Sequence, residues 1–257
     1  MSSEGLAQMS RRVGVPPAWT SVLAVIAHPD DASCGLGAIL DAFVFAGAKV
    51  DVLCLTHGQA WTLDGAPGDL AALRGAELVS AADVLGPKRI QMPDCPDGDL
   101  SKVGQTSLVA EVVATADRCF PDGLLVFDTA PEPGRLDHVT ATSAGLQAAE
   151  TLDLPVLGWA LSEDVMERLC HDFGPGSAIR SDEKIDLRVN VDRARQRVAS
   201  HSIEGQALPG SPRWLRLELL ADTESLRWLR VPHGPAGRPE TPARKAAQVH
   251  VPDELPT

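Results

Sequence analysis

The sequence contains no tyrosine, so no phenol is available as a proton donor anywhere in the chain. No uninterrupted apolar run approaches ~18 residues, so no membrane span is expected. The opening residues, MSSEGLAQMSRR, lack an apolar stretch and a small-residue cleavage site, so no secretory signal is expected. The five cysteines (Cys34, Cys54, Cys95, Cys119 and Cys170) are odd in number and scattered, with no C-x-x-C pair. That argues against a cysteine-ligated structural zinc and predicts reduced thiols in a cytoplasm. Positive charge is in the minority: 23 Lys and Arg against 35 Asp and Glu leave a net charge of −12. Nonspecific binding to nucleic acid or to an anionic membrane is therefore not expected, although a local basic pocket still allows a small anionic substrate.

What remains is an ordinary globular composition, 257 residues with 44% hydrophobic and 23% charged, enough for one large domain. Short apolar runs fit buried strands at Val22–Ala27, Lys49–Thr56, Arg89–Met92, Gly123–Asp128 and Pro155–Leu161. Between them, helical patterns run over Ser33–Ala46, ended by Gly47, then Asp69–Leu85, Gln105–Phe120 and from Arg135 to Thr151. This alternation predicts an α/β fold: a Rossmann-like, doubly wound and mainly parallel sheet with helices on both faces. Beyond Ser162 the pattern weakens to a half-exposed strand at Lys184–Val191, a helix at Asp192–Ser202, and a last strand or helix at Arg213–Leu220. Residues 1–17 read as a flexible arm and 18–230 as a single domain, whose part 162–230 is a candidate for substrate specificity. Residues 231–257, with six prolines, read as a disordered tail.

Chemistry concentrates where the first strand hands over to a helix, in His28-Pro29-Asp30-Asp31. In open α/β sheets that edge is where ligands bind. His28 and Asp31 offer an imidazole and a carboxylate on one turn, which Pro29 stiffens by restricting His28 to extended conformations. Asp30 projects differently from its neighbour and suits the base that a metal-activated water requires. The competing reading is a phosphate-binding or merely structural turn. His138, after a later strand, is a third candidate ligand. Asp137 beside it fits a helix N-cap or a group that orients a histidine. Gly35 and Gly37 form a weak dinucleotide fingerprint, better explained by close packing.

AHPDD after a strand, Thr56-His57-Gly58 after the second, Arg74-x-x-Glu77, Pro96-Asp97-Gly98 and Asp137-His138 together resemble the PIG-L/LmbE-like zinc-dependent de-N-acetylases. That family includes deacetylases of mycothiol and bacillithiol biosynthesis. The resemblance runs from about Val22 to Leu161. It implies one zinc (Zn2+, with Fe2+ or Mn2+ as alternatives) on His28, Asp31 and His138, with Asp30 as general base and Asp137 in the catalytic apparatus. It also implies substrate contacts from Arg74 and Asp97, and His57 is read as lining the cleft or closing a turn. Arg74 with Glu77 is equally readable as a surface salt bridge, and Asp97 as a turn former. Two positions depart from the family: Ala32 replaces a glutamate, and Arg135 replaces the first histidine of the second motif. Arginine stabilises an oxyanion but does not shuttle a proton near neutrality. The implied activity is removal of an acetyl group from an N-acetylglucosamine-like amide. The rivals are an amidase acting on a sugar–thiol conjugate and a catalytically impaired metal- or sugar-binding homologue. The expected partner is a small N-acetylated amino sugar in the cytoplasm, with a homo-oligomer left open.

Overall fold

The structure, a computed structural model, describes residues 14–60, 70–129, 136–162, 185–201 and 212–231, with Val165, Glu167, Arg168 and His171. Along the chain come β1 (Ser21–Ile26), a π turn (Asp31–Gly35), α1 (Gly37–Phe45), β2 (Lys49–Cys54), α2 (Leu70–Leu85) and β3 (Arg89–Gln91). A 3₁₀ turn (Leu100–Lys102), α3 (Gln105–Cys119), β4 (Gly123–Phe127), α4 (Leu136–Leu152) and β5 (Val156–Ala160) follow. The chain then forms β6 (Leu187–Asn190), α5 (Arg193–His201), α6 (Pro212–Leu219) and β7 (Thr223–Arg230).

The strands form one sheet in the order β3-β2-β1-β4-β5-β7-β6. β1 to β5 are parallel, while β7 runs antiparallel to both β5 and β6. The mainly parallel, doubly wound α/β architecture read from the sequence is the one observed. The alternative at Arg213–Leu220 resolves to helix, and β7 is a strand that the sequence pattern did not indicate.

Every residue of β1 is buried, because helices cover both sides of it. Val22, Ala24 and Ile26 pack with Leu36 and with Ile39, Leu40 and Phe43 of α1. Leu23 and Val25 pack on the opposite face with Leu108 and Val112 of α3 and Ala141, Ala144 and Ala148 of α4. Gly47 stops α1 with φ of +92°, donating its N–H to Val44 O at 2.9 Å. The strand order turns back between β1 and β4, which opens a crevice beyond their carboxyl ends. The HPDD turn follows β1 and the Asp137-His138 pair follows β4, so the topology brings the two motifs together.

The C-terminal elements belong to the same sheet: β6 forms its edge, and the edge holds the end of the expected N-terminal arm. Gly14 N–H donates to Arg188 O at 3.0 Å, and Asn190 N–H donates to Gly14 O at 3.2 Å. The rest of that arm, residues 1–13, lies outside the described residues, as does the expected tail beyond Val231. Among the described residues no helix is long and apolar enough to cross a membrane.

Candidate metal centre

The turn after β1 is wound wider than an α-helix, with Leu36 N–H donating to Asp31 O at 2.8 Å. Such π turns are rare and concentrate at functional sites. Here the winding folds the Asp31 carboxylate back over the strand end. Its Oδ2 accepts the N–H groups of His28 at 2.9 Å and Ala27 at 3.2 Å. Gly35 and Gly37 serve close packing: a Cβ on Gly35 would lie 2.8 Å from Phe127 Cζ, and one on Gly37 2.9 Å from Ala32 O.

His138 enters from the first turn of α4. Its Nε2 lies 2.9 Å from Asp31 Oδ1 and 3.3 Å from His28 Nδ1. His28 Nδ1 is 3.7 Å from Asp31 Oδ2. Donors on a tetrahedral zinc, with bonds of ~2.0–2.1 Å, stand about 3.3 Å apart. The three separations bracket that value, so the donor set fits a divalent metal. The His138 ring is fixed by a parallel stack on Phe127, with centroids 4.5 Å apart and planes 4° from parallel.

The other edge of His28 faces two more carboxylates. Nε2 lies 3.1 Å from Asp97 Oδ1 and 3.3 Å from Asp137 Oδ2. Both acids are anchored elsewhere. Asp137 accepts Gly98 N–H at 2.7 Å and Leu100 N–H at 3.0 Å. Asp97 accepts Ala60 N–H at 2.6 Å, and its Oδ1 lies 3.2 Å from the Thr56 hydroxyl. His28, Asp97 and Asp137 thus form a second cluster of possible ligands, but with oxygens already occupied by backbone N–H groups and the Thr56 hydroxyl. It suits an outer set that fixes the tautomer and orientation of His28.

The electrostatics match a site built for a cation. Burial alone would lower the His28 pKa, but Asp137 and Asp97, then Asp31 and Asp30, push it up to about 10. Burial would raise Asp31, yet His138 and then His28 hold it well below the usual carboxylate range. Burial likewise opposes ionisation of Asp97 and Asp137, and contact with His28 keeps both low. The carboxylates thus favour their ionised form, and His28 between them favours the protonated form that partly balances their charge.

The sequence-predicted residues separate clearly. His28, Asp31 and His138 converge, and Asp30 sits half-buried beside them. Among the described residues Asp137 makes no N-cap bond to its own helix; its oxygens go to the loop at 98–100 and to His28. The carboxylate of Asp97 is turned to His28. Arg74 and Glu77 form a buried ion pair at 3.0 Å, which replaces the surface pair allowed by the sequence. His57 is half-buried in the loop after β2. Arg135 lies outside the described residues. Phe127 was missed, and its sole signal was an aromatic residue at the carboxyl end of a buried strand.

The sheet order and crevice define a doubly wound, mainly parallel α/β protein. The structure of GalB, the 4-carboxy-2-hydroxymuconate hydratase from Pseudomonas putida KT2440, superposes with a TM-score of 0.64 at 17% identity, covering 84% of this chain and 100% of that one. The zinc-inhibited form of teicoplanin deacetylase Orf2 superposes with a TM-score of 0.61 at 19% identity, again covering 84% of this chain and 100% of the other. A family model, PIG-L: GlcNAc-PI de-N-acetylase, matches residues 23–149 and so encloses every site residue from His28 to His138. Diacetylchitobiose deacetylase of Thermococcus kodakarensis is 32% identical over 138 residues, 52% of this chain and 51% of that protein. The chain therefore spans about half the length of the curated relatives it matches.

Proposed function

We propose that the protein is a metal-dependent hydrolase that removes the acetyl group from an N-acetylglucosamine-like amide. The observation that carries this reading is the spacing of His28 Nδ1, Asp31 and His138 Nε2, 2.9 to 3.7 Å apart in a crevice at the topological switch point. The family match and the deacetylase relative support the substrate class. Fold alone does not select the reaction, since a hydratase shares it.

One zinc per chain is the metal we assign, and Fe2+ or Mn2+ suits the same His₂Asp set. When bound, the metal supplies a Lewis acid and a water of lowered pKa. Asp30 takes the proton from the attacking water and later returns it to the departing amine. Asp97 and Asp137 accept from His28 Nε2–H, which directs its Nδ1 to the metal position. Arg135 supplies positive charge for the oxyanion. His57 lines the cleft, and Arg74 and Asp97 shape the sugar-binding wall. The protein acts on a small molecule in the cytoplasm.

Arg135 in place of histidine favours a second reading, a homologue that binds metal and sugar but turns over slowly. Asp30→Asn separates the two. On the first reading it lowers kcat by roughly 10²–10⁴-fold while one metal per chain is still bound. An unchanged slow rate in the variant would leave only the binding role.

A further inference from the structure

The π turn that carries Asp31 is held from behind by residues far along the chain. Gln196 of α5 donates from Nε2 to Ser33 O at 2.7 Å and to Gly35 O at 3.4 Å. Arg216 of α6 donates from Nη2 to Cys34 O at 2.8 Å. Three successive carbonyls of the turn are thereby taken by side chains. A wider helical turn that gives up regular i to i+4 bonding needs such outside donors to persist.

The donors are themselves fixed. Gln196 is fully buried, and its Oε1 accepts from Arg193, which leaves Nε2 as the end facing the turn. Arg193 pairs with Glu224 at 2.5 Å, and Glu224 accepts Trp159 Nε1–H at 2.6 Å. Trp159 meets Phe127 edge-on, with centroids 5.6 Å apart and planes 84° from parallel, and Phe127 carries the stacked His138 ring. One buried network thus reaches both motifs, through the turn at Asp31 and through the aromatic pair at His138. Arg193, Gln196, Arg216 and Glu224 all lie beyond residues 23–149 matched by the family model.

We propose that Gln196 is a positioning residue of the metal centre, with Arg216 as its partner: together they hold the π turn and so set how tightly Asp31 presents its carboxylate to a metal. This rests on the metal reading above. Without the Gln196 donor the turn rewinds toward α-helical bonding, which rotates Asp31 away from the N–H groups of Ala27 and His28. Loss of such outer support weakens metal binding by about 10–100-fold.

The test is zinc affinity by competition with a chelator, on the full chain, for wild type, Gln196→Met, Arg216→Met, Asp31→Ala and Leu124→Ala. Thermal midpoints of the metal-free proteins are measured alongside. Leu124 is buried near the amino end of β4, in the core on the other face of the sheet from Leu36, and supplies a purely structural loss. The expected result is a zinc Kd raised about 10–100-fold in Gln196→Met, with a smaller rise in Arg216→Met, and an unchanged Kd in Leu124→Ala at a comparable loss of midpoint. A wild-type Kd in Gln196→Met overturns the proposal. If Gln196→Met does not fold, a wild-type Kd in Arg216→Met overturns it instead. Equal affinity of wild type and Asp31→Ala would refute the metal reading itself, a different and separable failure.

Discussion

Zinc binding should expel a proton from His28. In the metal-free protein that side chain, 23% exposed and faced by four carboxylates, has its pKa pushed up to about 10. A metal needs the Nδ1 lone pair, so the Nδ1 proton must leave, while Nε2–H stays on Asp97 and Asp137. At pH 7.5 an ordinary histidine near ~6.5 is only about a tenth protonated, whereas His28 is almost fully so. Binding at pH 7.5 should therefore release about one proton from this residue. Affinity should rise roughly tenfold per pH unit between pH 7 and pH 9. At pH 7 the proton costs about 4 kcal/mol of intrinsic metal affinity, since each pH unit below about 10 is worth ~1.4 kcal/mol. The assay is titration calorimetry in buffers of different ionisation enthalpy, which counts protons directly. Asp97→Asn removes one of the carboxylates that raise His28 and should make the rise in affinity level off at a lower pH. A release near a tenth of a proton, or a rise that levels off at the same pH in Asp97→Asn, would refute the reasoning.

The same shift makes the metal-free fold pH-dependent. A histidine whose folded pKa lies above its unfolded value stabilises fully below ~6.5, and that stability is lost as pH rises to about 10. Urea midpoints of the metal-free protein should fall across that window and flatten in His28→Gln; an equal fall in the variant would contradict the assignment. Arg74→Ala breaks a buried ion pair and should cost about 3–5 kcal/mol, against under ~1 kcal/mol for an exposed pair, as read from chemical denaturation. A loss below ~1 kcal/mol would mean that Arg74 faces solvent.

How much of this was legible depended on where each signal lies in the chain. β1 announces itself because both of its faces are buried, leaving six apolar or small residues in a row before His28. His28, Asp31 and His138 were readable because a short loop after each parallel strand delivers its residues to one sheet edge. β7 was not readable, because TESLRWLR looks like a solvated segment. Its Glu224 and Arg227 are buried by partners on other elements, Arg193 and Asp128. Asp97 shows the same limit: Pro-Asp-Gly predicts a turn, but its contact with His28 comes from loop geometry across the crevice. Gln196 carries no local signal, since what defines it is a carbonyl 163 residues earlier.

The most direct test of the central claim is amine release from a panel of N-acetylglucosamine derivatives by zinc-loaded and chelator-treated protein. The expected result is release from at least one derivative that stops on chelation, returns with added metal and is lost in Asp31→Ala. Release that survives complete metal removal would contradict it.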